Sequence, residues 1–154
     1  MDLFHILVLV TAVIGGGYYD SITQKHELSG VESRLPLGII IAYAMGPIQG
    51  FLASFAVLAI SFLFFPYPLH YVGFTTISLA LTFLLVFFFP ANAANFGVTA
   101  LMMAMAYGII SNTFLILFAG YAPFKAARFM VLLALISIFI FIKLNGWKLV
   151  LFFS

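Results

Sequence analysis

The 154-residue sequence has no cysteine and very few charged side chains, 6 basic and 4 acidic. The lack of cysteine excludes disulfides, thiolate metal sites and thiol nucleophiles. The net charge of +2 is too small to indicate nucleic-acid binding, and there is no polybasic block of the kind that binds anionic lipid head groups. Charged residues make up 6% of the chain, whereas soluble domains contain about 25%. A soluble globular domain is therefore excluded.

Charge is also absent from a long internal interval. After Arg34 the next charged side chain is Lys125, and His70 is the one titratable histidine between them. With 66% hydrophobic residues, residues 35–124 must lie in lipid or inside protein. The alternation of polar and apolar residues that is typical of a membrane β-barrel is missing. We therefore predict an all-α, polytopic transmembrane helical bundle that forms one integral membrane domain over residues 1–154.

Apolar segments and the breakers between them predict about six helices. The breakers are Gly-Pro, Pro-Tyr-Pro, and clusters of Pro, Asn and Gly. A further piece at 147–153 is too short to span a bilayer. The six predicted segments are Leu3 to Tyr19, Ser33 to Met45, Ile48 to Phe65, Tyr71 to Phe89, Phe96 to Ala119 and Lys125 to Leu144. The first segment lacks a basic start and a small-residue cleavage site, so we expect a retained helix and not a secretion signal.

The apolar stretch at residues 33–65 is interrupted at Gly46-Pro47. As a single helix it would be roughly 50 Å long, which is too long for one ordinary span and short for two. Two arrangements fit: two short spans with a tight turn, or two half-helices in a re-entrant hairpin. We expect the two short spans. Glycine tolerates unusual dihedrals and proline lacks a backbone donor, so this pair is suited to the turn.

One polar connection has appreciable length, residues 20–32, with the sequence DSITQKHELSGVE. It is interpreted either as a solvated connector whose charges keep it out of the membrane, or as a polar lid or docking surface. Ser29 or Ser33 is expected to start the second helix, with Arg34 extending its charged group to the membrane interface.

Basic residues near the helix ends predict the orientation in the membrane. Six spans would place four of them at one face and two at the other, together with the amino terminus. The four are Lys25, Arg34, Lys125 and Arg128, and the two are Lys143 and Lys148. The excess predicts an amino terminus outside the cell.

Side chains suited to catalysis are few. The acids are Asp2, Asp20, Glu27 and Glu32, and neither they nor the three histidines lie in the middle of a predicted span. Paired carboxylates, histidine-supported nucleophiles and metal clusters are what catalysis in a membrane generally requires. We therefore expect no catalytic residues, no metal site and no cofactor, and we do not expect an enzyme.

Small and polar residues within the segments indicate close packing. Ala12 and Gly16 lie four residues apart on one helix face, a spacing that lets helix backbones approach within the protein or against a partner. An unpaired amide in hydrocarbon is costly, so Asn112 should face the bundle interior and find a partner there. It is interpreted either as a helix-helix contact or as part of a pocket lining.

The stretch RLPLGIIIAYAMGPIQGFLASFAVL, residues 34–58, resembles the second and third helices of the substrate-binding S-components of energy-coupling-factor transporters. The matching residues are Arg34, Pro36, Gly46, Pro47 and Gly50. The resemblance implies six helices, a helix turn at Gly46, Pro47 and Gly50, a polar first loop that caps the site, and a coupling-subunit face at Ala12 and Gly16. That family has its amino terminus in the cytoplasm, opposite to the orientation that the charges predict.

We therefore expect a substrate-binding integral membrane subunit of a small-molecule, vitamin-like transporter. No nucleotide-binding loop is present in the sequence, so energy would come from other membrane subunits. On this hypothesis Glu27, Glu32 and Arg34 orient the solute, and Tyr43 and Asn112 supply polar contacts. The alternative is a non-catalytic accessory subunit of a larger membrane complex that packs against its neighbours and lipid. Either protein would be multi-pass, and we expect a prokaryotic cell membrane.

Overall fold

In a computed structural model, residues 3–26, 28 and 30–154 are described, and they form a bundle of helices with no β-strand among them. The predicted segments match the observed helices within a few residues, apart from the end of the first helix. A 3-10 turn at Val86–Phe88 extends the fourth helix, and a π-helical stretch at Ile138–Lys143 extends the sixth. The helices are α1 Leu3–Lys25, α2 Arg34–Met45, α3 Pro47–Phe64, α4 Leu69–Leu85, α5 Phe96–Ala119, α6 Pro123–Ser137 and α7 Trp147–Phe153.

Five of the helical stretches are long and apolar enough to cross a bilayer, namely α1, α3, α4 with its 3-10 turn, α5, and α6 with its π-helical extension. Many large apolar side chains on their outer surfaces are exposed, as lipid contact requires. The chain is therefore a multi-pass integral membrane protein. α2 has 12 residues, about 18 Å of helix, which is shorter than the hydrocarbon core of about 30 Å.

Successive helices from α1 to α6 alternate in direction, so their ends collect at two poles of the bundle. The Arg34 end contains the last turn of α1, the first turn of α2, the α3–α4 connection and the α5–α6 connection. The Gly46 end contains the α2–α3 turn, the α4–α5 connection and the short helix α7, which packs against α2. The predicted division of basic residues between two poles follows this alternation.

Helices α2 and α3 form the closest pair in the bundle. Gly46 joins them with a backbone φ of 121°, a value that residues other than glycine rarely adopt. Further into the pair, a Cβ added at Gly50 would lie 2.5 Å from the Gly38 carbonyl oxygen. A Cβ at Gly38 would in turn overlap the Ser54 hydroxyl, which donates a 2.8 Å hydrogen bond to the Arg34 carbonyl oxygen. The turn lies where the sequence predicted it, and the closest contact lies one to two helical turns away from it.

Two sequence predictions about the first connection are wrong. The polar stretch beginning at Asp20 is not all connector, because α1 continues to Lys25 and only residues 26–33 join it to α2. Arg34 does not extend to the membrane interface: its side chain is fully buried. Ser33 precedes α2 but makes no capping hydrogen bond with its side chain, and Ser29 lies outside the described residues. Asp20 and Glu32, at the two ends of the polar stretch 20–32, are both buried, which also excludes a fully solvated connector.

We predict that Gly50→Ala destabilises the protein by about 1–3 kcal/mol, because the new methyl group must displace the backbone of α2. The measurement is the free energy of unfolding in mixed detergent micelles. Gly73→Ala is the matched control, since nothing lies within 4 Å of its added Cβ and alanine is the better helix former. Equal stabilities of the two variants would contradict the close α2–α3 contact.

Candidate functional site

A buried carboxylate near the end of α1 holds the start of α2. Asp20 is fully buried, and its Oδ1 accepts a 2.6 Å hydrogen bond from the backbone N–H of Ser33. Its Oδ2 accepts a longer one, 3.4 Å, from the backbone N–H of Arg34. These N–H groups belong to the residues at the start of a helix, where backbone N–H groups have no partner within the helix. Asp20 thus supplies from a neighbouring helix the acceptor that a cap residue usually provides.

The second acid of the site is Glu32, which forms an ion pair with Arg34. Both side chains are shielded from solvent, with exposed fractions of 2% for Glu32 and 0% for Arg34. The other carboxylate oxygen of Glu32 accepts a 2.9 Å hydrogen bond from the Gln24 amide, one turn beyond Asp20 on α1. Two carboxylates and one guanidinium are therefore enclosed together. We name Asp20, Glu32 and Arg34 the ionic cluster.

The connection between α1 and α2 turns back into the bundle to form this cluster. Ser33 lies against Gly16 of α1, where an added Cβ would approach its hydroxyl to 2.7 Å. Asp20 is five residues before the end of α1, about 7–8 Å below it along the helix axis. On the other side, Gly30 packs on the Phe129 backbone of α6. Arg34 is consequently held inside the bundle, below the level at which α1 ends. α2 is short because it begins at that level.

Tyrosines from three other parts of the chain surround the guanidinium. Tyr67 lies beside Arg34 and Ser61, Tyr107 beside Arg34 and Ser111, and Tyr71 interacts electrostatically with Arg34 and Glu32. Burial raises the pKa of the Tyr67 phenol above its ordinary value of 10.0, although the nearby Arg34 lowers it. At neutral pH this phenol is therefore protonated and is available as a hydrogen-bond donor.

A cavity of about 250 Å³ opens at the Arg34 end, in front of these tyrosines. Its walls come from the last turn of α1, the α3–α4 connection, the first turn of α4, the α5–α6 connection and the start of α6. The lining is polar and aromatic, with side chains that donate hydrogen bonds. The lining residues are Gln24, Tyr67, Pro68, His70, Tyr71, Tyr121, Lys125 and Arg128. Gln24 and Tyr67 also contact the ionic cluster, and Tyr71 interacts with it electrostatically, so cavity and cluster share one wall.

Several buried polar atoms in this region have no hydrogen bond of good geometry with a described residue. They include the Nε and Nη1 atoms of Arg34 and the hydroxyl of Ser61. Asn112 faces the interior as predicted, but neither its Nδ2 nor its Oδ1 has such a partner. Buried polar groups are almost always satisfied, by protein, water or ligand. The Tyr67 and Tyr107 phenols lie beside the Arg34 guanidinium, and Tyr67 also lies beside Ser61, so these phenols are partners that the chain offers to those groups.

The structure brings Glu32 and Arg34 together but separates them from Tyr43. The Tyr43 hydroxyl donates a 2.8 Å hydrogen bond to the Phe89 carbonyl oxygen, and its ring packs on Phe96 at the Gly46 end. Tyr43 lies nine positions after Arg34 on α2, about 13 Å further along the helix axis. Glu27 lies outside the described residues.

The predicted docking face on α1 is partly used inside the chain. Gly16 packs against Ser33 and Val57, and Ala12 is half-buried. Nothing lies within 4 Å of an added Cβ at Gly15, so the adjoining face is open. Docking of a partner at Ala12 and Gly16 stays a prediction.

Asp20 and Gln24 were missed as site residues, although the sequence contained a signal for them. Ala12, Gly16, Asp20 and Gln24 recur every four residues, so they follow one helix face. Extension of the small-residue pattern by two turns would have placed this acid and this amide inside the bundle. The tyrosines at 67, 71 and 107 had no comparable signal, because their common position depends on how four helices pack.

No protein-family model matches the chain, and neither a curated protein nor a solved structure matches it. Among the described residues, no three His, Asp or Glu side chains come together in a way that could hold a metal ion. What the site does is therefore inferred from its own geometry: an open polar cavity backed by a buried ionic cluster.

We predict that Glu32→Gln and Arg34→Met each destabilise the protein by about 3–5 kcal/mol, because each leaves a buried charge without its partner. The double variant should lose much less than the sum of the two, which a double-mutant cycle of unfolding free energies measures. Lys148→Met, an exposed cation at the Gly46 end, is the control. Additive losses would show that the two charges do not interact.

Proposed function

We propose that the protein is a substrate-binding membrane subunit of a small-molecule transporter, with the cavity at the Arg34 end as its solute site. Solute sites are concave, with apolar walls and a few polar groups that fix orientation. The cavity has this character: aromatic walls from Tyr67, Tyr71 and Tyr121, with the Gln24 amide and basic side chains at defined positions. Its volume, about 250 Å³, suits a solute smaller than the drug-sized ligands of cavities of about 300–1,000 Å³.

The observation that supports this proposal most is the ionic cluster behind the cavity wall. Replacement of a buried ion pair by apolar residues is often neutral or stabilising, so stability alone does not explain it. Ionisable groups inside a membrane bundle are a default indication of a functional site. Here Glu32 accepts a hydrogen bond from Gln24, and Tyr71 lies beside Gln24; both Gln24 and Tyr71 line the cavity. The cluster therefore pre-organises the wall that a solute would contact.

Transport itself, partner subunits and a prokaryotic cell membrane are parts of the same proposal. Their support is the resemblance of residues 34–58 to S-components and the lack of a nucleotide-binding loop in the sequence. α1 is the least buried of the five candidate spans, with 17% of its apolar window inside the protein. Because most of α1 is not covered by the rest of the chain, it also suits the alternative, an accessory subunit that packs against a larger complex.

We predict that native mass spectrometry of the gently solubilised protein detects a stoichiometric small molecule. Tyr71→Phe, which removes one cavity hydroxyl and keeps the ring, should weaken its retention about threefold to tenfold, the effect of losing one hydrogen bond. Tyr43→Phe removes a hydroxyl at the opposite end of α2 and should leave retention unchanged.

Two results would contradict the binding proposal. One is a protein that retains no small molecule and co-purifies with a stable set of other membrane subunits, which favours the accessory role. The other is equal loss of solute in the Tyr71→Phe and Tyr43→Phe variants, which would place the bound molecule elsewhere.

A further inference from the structure

Among the described residues that line the cavity, the charged side chains are all basic. Lys125 and Arg128 project from the first two turns of α6, and the His70 imidazole faces them from the start of α4. None of the eight described lining residues is an acid. The charge of Arg128 at this lining therefore favours a negatively charged occupant.

The two described acids closest to the cavity are already engaged in the interior. Glu32 is paired with Arg34 and accepts a hydrogen bond from Gln24. Both oxygens of Asp20 accept backbone N–H groups at the start of α2. Arg128, by contrast, is exposed and makes no ion pair with a described residue. Its guanidinium is thus available to a group that enters the cavity.

We infer that the cavity binds a small organic anion, a carboxylate or a phosphate ester attached to a flat or apolar group. This inference rests on the proposed function and names its substrate class. A guanidinium presents paired N–H donors that match carboxylate and phosphate oxygens in a bidentate geometry. The Tyr71 phenol and the Gln24 amide add neutral donors, and the tyrosine rings accommodate the uncharged part of the solute.

The same anionic chemistry has two sources, a water-soluble solute or the head group of an anionic lipid. The cavity lies at a pole of the bundle, where helices end and lipid head groups are expected, so both can reach it. The experiment therefore uses nanodiscs of zwitterionic lipid first, and adds anionic phospholipid in a second arm.

The test is ligand-observed NMR of the whole protein with four probes of similar size: phenyl phosphate, benzoate, benzylamine and benzyl alcohol. The two anions should bind more tightly than the amine and the alcohol, and their binding should weaken as salt is added. Arg128→Gln should weaken anion binding roughly tenfold, the effect of losing a hydrogen bond to a charged group. Arg128→Lys should retain part of it, and Lys148→Gln, which removes an exposed cation at the opposite end, should change nothing.

The outcomes separate the anion inference from the proposed function. If benzylamine or benzyl alcohol binds best and Tyr71→Phe weakens that binding, the cavity is a solute site and the anion inference is wrong. If Arg128→Gln leaves anion binding unchanged, the inference is also wrong. If no probe binds and native mass spectrometry finds no bound solute or lipid, both the anion inference and the proposed solute site are wrong. Displacement of phenyl phosphate by anionic phospholipid, lost in Arg128→Gln, supports the anion site and identifies a lipid head group as its source.

Discussion

The enclosure of Asp20, Glu32 and Arg34 between helices is the constraint from which the rest of the Arg34 end follows. Charges in a low-dielectric interior persist only when they are paired and hydrogen-bonded. Glu32 and Arg34 pair with one another, and Asp20 accepts the first N–H groups of α2. To satisfy these requirements the chain must turn inward after α1. This inward turn sets the depth at which α2 begins and explains why α2 is too short to span a bilayer.

The constraint extends from the cluster to the cavity through shared side chains. Gln24 contacts Glu32 on one side and the cavity on the other, and Tyr67 and Tyr71 stand between Arg34 and the open space. The cavity wall is thus held by fixed electrostatic contacts, and not by apolar packing alone. A binding site gains precision from such a second layer of support. The support that the buried ionic cluster gives to the cavity wall is the physical basis of the proposed solute site.

The helices could be predicted from the sequence because the bilayer imposes length and composition on each of them. The Gly46-Pro47 turn was predictable for the same reason, as a break in an apolar run. The extent of the polar connection was not, because four of the five residues at 21–25 are polar in sequence, yet all five belong to α1 in the structure. Hydropathy treats a polar side chain as solvent-exposed. Asp20 and Arg34 depart from this rule because Asp20 accepts backbone N–H groups at the start of α2 and Arg34 pairs with Glu32. Tyr107, on α5, joins them only through tertiary packing, which the pattern of a single segment does not contain.

Amide hydrogen exchange in residues 30–34 tests the central claim most directly. If the ionic cluster holds this segment inside the bundle, the Ser33 and Arg34 amides are strongly protected, and Asp20→Ala removes that protection while the middle of α5 stays protected. Exchange of these two amides at the rate of an open, hydrated loop in the unaltered protein would contradict the account, because the start of α2 would then not be anchored by Asp20.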